Sequence, residues 1–410
     1  MSAMNLLPHL RLLRALAAVL QAGSSQQAAA LLHVAQSSVA RAVLQLETSL
    51  SSALFERTGR GLQPTPRGQQ LALRAARALQ LLADADRHRT RSSVLPWHTS
   101  PLALGVGPRH LQVLLALAEC GGEGKAAVQL GVSQSAVHQS LAQLEHMAGV
   151  SLFRRARSGL RLDDAGEAVL LAVQLALAEL RQAVDEWAAS DGRLQGRLVV
   201  GTLPFSTTML LSPAVECLLA TQVDVRVVIV DGTFDTLVQQ LRRAEVDYIV
   251  GALRSTPPSA DVTQEVLFKD RLAVMVRGGH PLALRRKLTW ATLRDAQWVM
   301  PMPGTPAEVA FQQMVDASGL QSPTDQLRAN SALMTLALLA DSDRLALMSP
   351  RQVAREIAAG QLVELPLNVQ HADRHIGVLW RADYLPTPAA AQLLEAIRQV
   401  ASRLRGEPDL

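Results

Sequence analysis

The chain has 410 residues, with 40 Lys and Arg against 36 Asp and Glu for a net charge of +4. That length holds two to four domains with real cores, and the two cysteines, Cys120 and Cys217, exclude a disulfide framework and suit a reducing compartment. No stretch is long and apolar enough to span a bilayer, and the run at residues 15–20 behind Arg11 and Arg14 has the spacing of an amphipathic helix rather than a signal core; a soluble, cytoplasmic protein with no membrane partner is expected.

In chain order, the spacing predicts helices over residues 8–22, 26–32 and 36–50, with a break and N-cap choice at Gly23-Ser24-Ser25 and a tight turn at 33–35. In the third helix Val39, Val43 and Leu46 recur at i, i+4 and i+7 and form a core face. The opposite face carries Gln36, Ser37, Ser38, Arg41 and Gln45. Two helices joined by a short turn, the second polar outside, form a helix-turn-helix pattern, whose second helix enters the major groove and puts Arg41 and Gln45 within reach of base edges. Leu54-Phe55 then plugs the core, and residues 57–61 (RTGRG) read as a winged hairpin with Arg57 and Arg60 placed for phosphate. A long Ala/Leu/Arg helix over 68–91 suits pairing with another helix.

Residues 92–108 hold three Pro and two Gly and read as a linker. Gly105-Val106-Gly107 lacks the third Gly and the βαβ context of a dinucleotide fingerprint, and residues 121–125 (GGEGK) lack the remaining elements of a phosphate loop. Beyond them the first plan repeats. Residues 109–171 align with 11–73 at a constant offset of 98, with 22 of 63 positions identical, among them the polar pairs Gln36/Gln134, Ser37/Ser135 and Glu47/Glu145. Composition alone does not reproduce such polar identities in one register, so the segment is a duplicated domain. In the second copy Val137, Leu141 and Leu144 are the core face, and Gln134, Ser135, His138, Gln139 and Gln143 lie outside. Gln139 replaces Arg41, and a solvated His138 is the competing reading to a DNA contact. The second wing keeps Arg154, Arg155, Arg157 and Arg161 but gains Asp163 and Asp164, and a second long helix follows over 166–189. Residues 1–100 carry 11 basic and 4 acidic side chains, residues 101–190 carry 7 and 9, so the basic excess sits in the first copy. A basic face attracts phosphate; a solvated Arg-rich surface is the plainer alternative.

These motifs resemble those of the LysR-type transcriptional regulators. The family's Ala-Ala, Gln-Ser-x-Val, Leu-Glu and Leu-Phe-x-Arg elements appear as Ala28-Ala29, Gln36-Ser37-x-Val39, Leu46-Glu47 and Leu54-Phe55-Glu56-Arg57, and again as Ala126-Ala127, Gln134-Ser135-x-Val137, Leu144-Glu145 and Leu152-Phe153-Arg154-Arg155. Ala35 and Ala40 stand where the family usually has Ser, and His138-Gln139 where it often has Ser-Arg. Two copies depart from the family's single domain. The resemblance implies two α-helical winged helix-turn-helix domains (8–67 and 109–165), two linker helices (68–91 and 166–190) around the linker 92–108, and an α/β effector-binding domain of two subdomains, like type 2 periplasmic binding proteins, at 196–405. The two long helices are expected to pair within one chain as a pseudo-dimer, which leaves the second copy as a pairing partner, a weaker DNA reader, or both.

Strand and helix patterns of the C-terminal half agree with that fold. Strands are expected at 196–201, 225–231 (buried), 247–251, 271–276, 298–301, 345–348 and 375–380, and helices at 210–220, 234–243, 307–317, 332–339, 350–359 and 388–405, implying a parallel, helix-covered sheet. Ligands in such folds sit at helix N-termini beyond strand ends. Ser206, Thr207, Thr208, Thr233, Phe234, Gly304, Thr305 and Ser331 occupy such places; hydroxyls and free backbone N–H groups suit a small organic acid, and the lack of a basic residue in these stretches leaves a sugar-like effector open. Helix capping is the plain reading for Ser206, Thr305 and Ser331 taken singly. The function expected is a DNA-binding, effector-responsive regulator acting on double-stranded DNA as a homo-oligomer, without cofactor. The alternative is an assembly protein whose second copy does not bind DNA. No acid/base pair, activated nucleophile or metal spacing points to an enzyme; His371 and His375 are four apart, but in a strand-like run.

Overall fold

The computed structural model describes residues 6–58, 61–88, 95–157, 159–189, 194–203, 207–285, 287–319, 327–367, 369 and 373–406, with residues 57, 58, 61, 87, 88, 207 and 406 described for the backbone alone. The chain divides into two compact units, residues 1–195 and 196–410.

In the first unit, α1 (Leu10–Ala22), α2 (Ser25–Leu32) and α3 (Gln36–Leu50) are followed by the hairpin β1 (Phe55–Thr58) and β2 (Gly61–Pro64), then by α4 (Pro66–Asp84). Ser24 caps α2 by accepting the Gln27 N–H, and Thr65 caps α4 by accepting the Gly68 N–H. Val39, Val43, Leu46 and Leu54 are buried as their spacing requires. A 3-10 turn ends α4 over Ala85–His88, so the helix stops short of the expected residue 91. The expected linker is a folded element from Leu95 onward: Trp97–Thr99 is a 3-10 turn and α5 (Pro101–Gly105) is a short helix. Trp97, Leu102, Ala103 and Val106 are buried in the same core as α1, α4 and α9. Here Pro begins a helix, its missing N–H being one a first turn leaves unpaired anyway.

The second copy comprises α6 (Pro108–Cys120), α7 (Glu123–Leu130), α8 (Gln134–Ala148), the hairpin β3 (Phe153–Ala156) and β4 (Gly159–Leu162), and α9 (Asp164–Ala189). Helices α4 and α9 run antiparallel along each other, as the pairs Arg67–Trp187, Arg74–Gln182 and Arg77–Glu179 show. Three arginines of the basic first copy therefore face α9 rather than open solvent, and a fourth, Arg14, donates to the carbonyls of Ala103 and Val106.

The second unit has two sheets. The first has strand order β6-β5-β7-β13-β8 and the second β10-β11-β9-β12. Their strands are β5 (Gln195–Thr202), β6 (Asp224–Asp231), β7 (Tyr248–Ala252), β8 (Val262–Arg271), β9 (Ala273–Arg277), β10 (Trp298–Val299), β11 (Leu345–Met348), β12 (Leu362–Glu364) and β13 (Asp373–Arg381). Helices α10 (Ser212–Leu219), α11 (Phe234–Arg242), α12 (Pro306–Ser318), α13 (Ala332–Ala340), α14 (Ala354–Ala358) and α15 (Pro388–Gly406) connect them. Three expectations are corrected. The first sheet is mixed: β5 and β7 are parallel, but β13 runs antiparallel to both β7 and β8. Strand β6 is an edge strand, with Val225 buried but Ile229 45% exposed, so its apolar run does not mark a central position. Strands β8 and β12 lie outside the expected set; the β8 sequence runs in blocks of polar and apolar residues rather than alternating, and it pairs with β13 around an irregularity at Ile376/Gly377, where a Cβ on Gly377 would lie 2.0 Å from the Glu265 carbonyl oxygen. The chain crosses between sheets where β8 passes into β9 and again ahead of β13. At that crossing buried Asp270 accepts from Arg374 (2.8 and 3.0 Å) and from the Ser349 hydroxyl (2.7 Å).

Candidate functional site

The first-copy face is carried by α3. Gln36, Ser37, Ser38, Arg41 and Gln45 are all exposed on it, opposite the buried stripe. Gln36 Nε2 donates to Ser25 Oγ at 3.2 Å and so ties α3 to α2. Arg41, Gln45 and Ser38 line a groove of about 450 Å3 together with Arg11 and Arg14 of α1 and Leu104. Arg11 is exposed and was not singled out from sequence, because its helix reads as a core helix. Arg14 is held by carbonyls, and burial, aided by Arg11, lowers its pKa to about 10. On the wing, Arg57 pairs through its backbone with Leu62, while Arg60 lies outside the described residues.

The second-copy face on α8 has the same layout and keeps its Gln and Ser residues at three positions, but has His138 for Ala40 and Gln139 for Arg41. Gln134, Ser135, His138, Gln139 and Gln143 are exposed. His138 Nδ1 lies 3.1 Å from Glu123 Oε1, and Gln143 Oε1 lies 3.1 Å from His110 Nε2. Glu123 stands where the first copy has Ser25, which puts a carboxylate beside this face. Ser135 Oγ is 3.0 Å from Ser133 Oγ, the cap of α8. Arg155 and Arg157 are exposed on the second wing.

The two wings are fixed in the same way. Glu47 Oε1 accepts the N–H groups of Leu54 (2.8 Å) and Phe55 (3.2 Å); Glu145 Oε1 accepts the Leu152 N–H at 2.8 Å. The shared Leu-Glu of the repeat thus anchors wing to helix.

The second unit contains a cleft of about 310 Å3 at the ends of β5, β7 and β10 and the N-termini of α11 and α12. Thr233, Phe234, Gly304, Thr305 and Asn330 line it, as do Arg254 and Arg374. Thr233 accepts the Thr236 N–H, Thr305 the Glu308 N–H and Ser331 the Met334 N–H, so each caps a helix. Ser331 is beside the lining rather than in it, and exposed Thr208 donates to the Gln352 carbonyl at 3.4 Å, away from the cleft lining. Ser206 lies outside the described residues, and Thr207 contributes backbone alone to the π-type turn Thr207–Leu211. The two arginines bring to the cleft cations that the capping stretches themselves lack. Arg374 is committed to Asp270, whereas the Arg254 guanidinium lies 4.0 Å over the Phe234 ring and 3.3 Å from Asp235 Oδ1 at the cleft wall. Neither arginine belongs to a helix-capping stretch, so local pattern gave no sign of them. Among the described residues no group of His, Cys, Asp and Glu has metal-site geometry, and no helix is long and apolar enough to cross a membrane; His371 lies outside them.

Comparison with known proteins agrees with this layout. The family model described as a bacterial regulatory helix-turn-helix protein, lysR family, matches residues 10–69 and again 108–167, and the LysR substrate binding domain matches residues 191–402. The HTH-type transcriptional regulator GalR of Pseudomonas putida is 36% identical over 394 residues, covering 96% of this chain and 98% of that protein. The regulator PcaQ of Agrobacterium fabrum is 30% identical over 296 residues, which is 72% of this chain and 95% of PcaQ. Full-length CbnR, solved with its target DNA, shares the fold with a TM-score of 0.52 at 19% identity, over 71% of this chain and 99% of its own. GalR thus aligns across both copies, while PcaQ and CbnR leave unmatched a length close to one repeat. The relatives are transcriptional regulators and not enzymes. This chain belongs to the LysR family of transcriptional regulators, with its helix-turn-helix domain present twice ahead of one substrate-binding domain.

Proposed function

We propose that this regulator reads double-stranded DNA through α3, with Arg41 and Gln45 at base edges, Gln36, Ser37 and Ser38 alongside and Arg57 and Arg60 on phosphate, and that a small organic anion in the cleft of the second unit biases its DNA-bound state. In the second copy Gln134, Ser135, Gln139 and Arg155 have the corresponding stations, His138 the flank and Arg157 a place on the wing one residue before the counterpart of Arg60. The observation that carries the effector assignment is the convergence of two helix N-termini and the Arg254 guanidinium on one cleft. Helix N-termini and an arginine both favour negative charge. Thr233, Thr305 and Phe234 shape the site, and the capping hydroxyls of Thr233 and Thr305 each retain acceptor or donor capacity toward a ligand.

The test is a thermal-shift screen of the full chain against small carboxylic acids and neutral sugars, repeated with Arg254→Ala. The expected outcome is a stabilising shift with an acid that is lost in the variant. A shift with neutral sugars alone, unaffected by Arg254→Ala, overturns the anion assignment.

A further inference from the structure

The seam between α4 and α9 carries a buried arginine–carboxylate cluster on one side of its pseudo-twofold axis. Arg74 is fully buried, yet its guanidinium donates to Glu179 Oε2 at 2.7 Å, to Gln182 Oε1 at 2.9 Å and to both oxygens of Glu186. Arg77 reaches the other oxygen of Glu179 at 3.1 Å. Burial opposes the charge on Arg74, but the carboxylates of Glu186 and Glu179 outweigh it and hold its pKa above the ordinary value. The offset of 98 identifies what occupies the equivalent places. Arg74 corresponds to Ala172 and Arg77 to Leu175; Glu179 corresponds to Leu81, Gln182 to Asp84 and Glu186 to His88. The mirror-side positions are therefore largely apolar, and Ala172 is buried.

This asymmetry bears on which helices pair. Were α4 to pair with the same helix of a second chain, Arg74 would meet Leu81 and His88, with only Asp84 left to answer it. Were α9 to pair with α9, the buried Glu179 would meet Ala172 and no cation. Leaving a buried charge without its partner is strongly destabilising, far more so than the net worth of the intact pair. A single buried polar group is also an established way of fixing which helices associate.

We infer that the Arg74–Glu179–Gln182–Glu186 cluster directs α4 to pair with the α9 of its own chain rather than with a second α4, so that one chain forms a complete two-reader unit. Because the readers differ, with Arg41 and Ser25 on one and Gln139, His138 and Glu123 on the other, the site that such a unit recognises is an ordered pair of dissimilar half-sites. The inference rests on the DNA-reading role proposed above for α3.

The full chain is used to enrich duplexes from a random-sequence pool, and the complexes are weighed by native mass spectrometry. Two dissimilar half-motifs in fixed order, with one such pair per chain, are expected. Two identical inverted half-motifs, or one half-motif per chain, overturn the inference while leaving DNA reading intact; no enrichment at all sinks the DNA-reading proposal instead. Charge reversal supplies a second readout. Arg74→Glu sets carboxylate against carboxylate and lowers affinity for the paired site by about 10²-fold, the order of the avidity that linked readers provide, down to that of the better half-site. Mixing an Arg74→Glu/Arg77→Glu chain with the Glu179→Arg/Glu186→Arg chain restores paired binding in trans, because each α4 then finds a complementary α9 on the other chain. Undiminished paired binding by Arg74→Glu alone, or no recovery in the mixture, counts against pairing by this cluster.

Discussion

The first and second helix-turn-helix copies share their joints and differ at their helix ends. In both, a glycine at the start of the long helix passes against the carbonyl of the leucine before the wing, Gly68 against Leu54 and Gly166 against Leu152. In both, a glutamate from the third helix takes the leucine N–H at 2.8 Å. The recognition helix of the second copy has a serine cap, Ser133, where the first has Ala35 with no side-chain cap. The left-handed positions that end the second and third helices are Gly131 and Gly149 in the second copy, but His33 and Ser51 in the first. The second copy has the better-capped third helix and glycines at its left-handed ends, whereas the first has the side-chain cap on its second helix and the more basic outer face. A duplicated fold can diverge in this way, with surface charge changing in one copy and helix caps in the other while the shared joints stay fixed.

The largest effects test the joints. A Cβ on Gly68 would sit 1.9 Å from the Leu54 oxygen, and one on Gly166 2.0 Å from the Leu152 oxygen. Neither neighbour is a flexible side-chain end, so Gly68→Ala and Gly166→Ala are each expected to cost about 3 kcal/mol or more. Urea unfolding of the full chain checks this; a cost confined to one glycine would show that the two joints are not equivalent after all.

Next comes the difference in reading. Arg41→Ala is expected to weaken operator binding by roughly 1–3 kcal/mol, and Gln139→Ala by much less. The reciprocal pair Arg41→Gln and Gln139→Arg sharpens the comparison. Glu123 remains beside α8 at 3.1 Å from His138, so Gln139→Arg alone should recover only part of the loss. Gel-shift titrations at fixed salt measure both, and equal losses at the two positions would make the copies equal readers.

How these differences stand to the sequence is instructive. The buried stripes Val39-Val43-Leu46 and Val137-Leu141-Leu144 follow from helical spacing alone, and the repeat places every second-copy element. What pattern cannot give is the partner of a side chain distant in sequence. Arg74 and Arg77 counted toward a DNA-binding surplus, yet their partners are carboxylates more than a hundred residues on. Residues 92–108 read as linker from Pro and Gly, but Trp97, Leu102 and Ala103 lie in the core. Arg254 sits two residues past β7 with no capping motif around it, so nothing local ties it to a cleft whose other wall begins near Pro301.

A smaller effect comes from the caps. Ser133 Oγ accepts the Ala136 N–H at 3.2 Å, and Ala35 has the same extended backbone without the hydroxyl. Ser133→Ala should cost about 1 kcal/mol and Ala35→Ser should gain a similar amount. Both are read as shifts in the midpoint of urea unfolding without a change in slope.

The smallest expected effect is at the left-handed C-caps. Ser51 has φ 49° and ψ 38°, and Gly149 has φ 69° and ψ 13°. A side chain in this region costs about 1–2 kcal/mol, because Cβ crowds the following carbonyl. Glycine avoids that crowding but loses more chain entropy on folding, roughly 0.4–1 kcal/mol. The difference leaves a net gain of about 0.5–1 kcal/mol for Ser51→Gly and a similar loss for Gly149→Ser. Hydrogen exchange of the α3 and α8 amides separates the two copies where a global melt averages them. The α3 amides should gain protection in Ser51→Gly and the α8 amides should lose it in Gly149→Ser. If Ser51→Gly instead lowers protection, the serine is doing something at the end of the reading helix that glycine does not, and the first copy is not merely the less well-capped one.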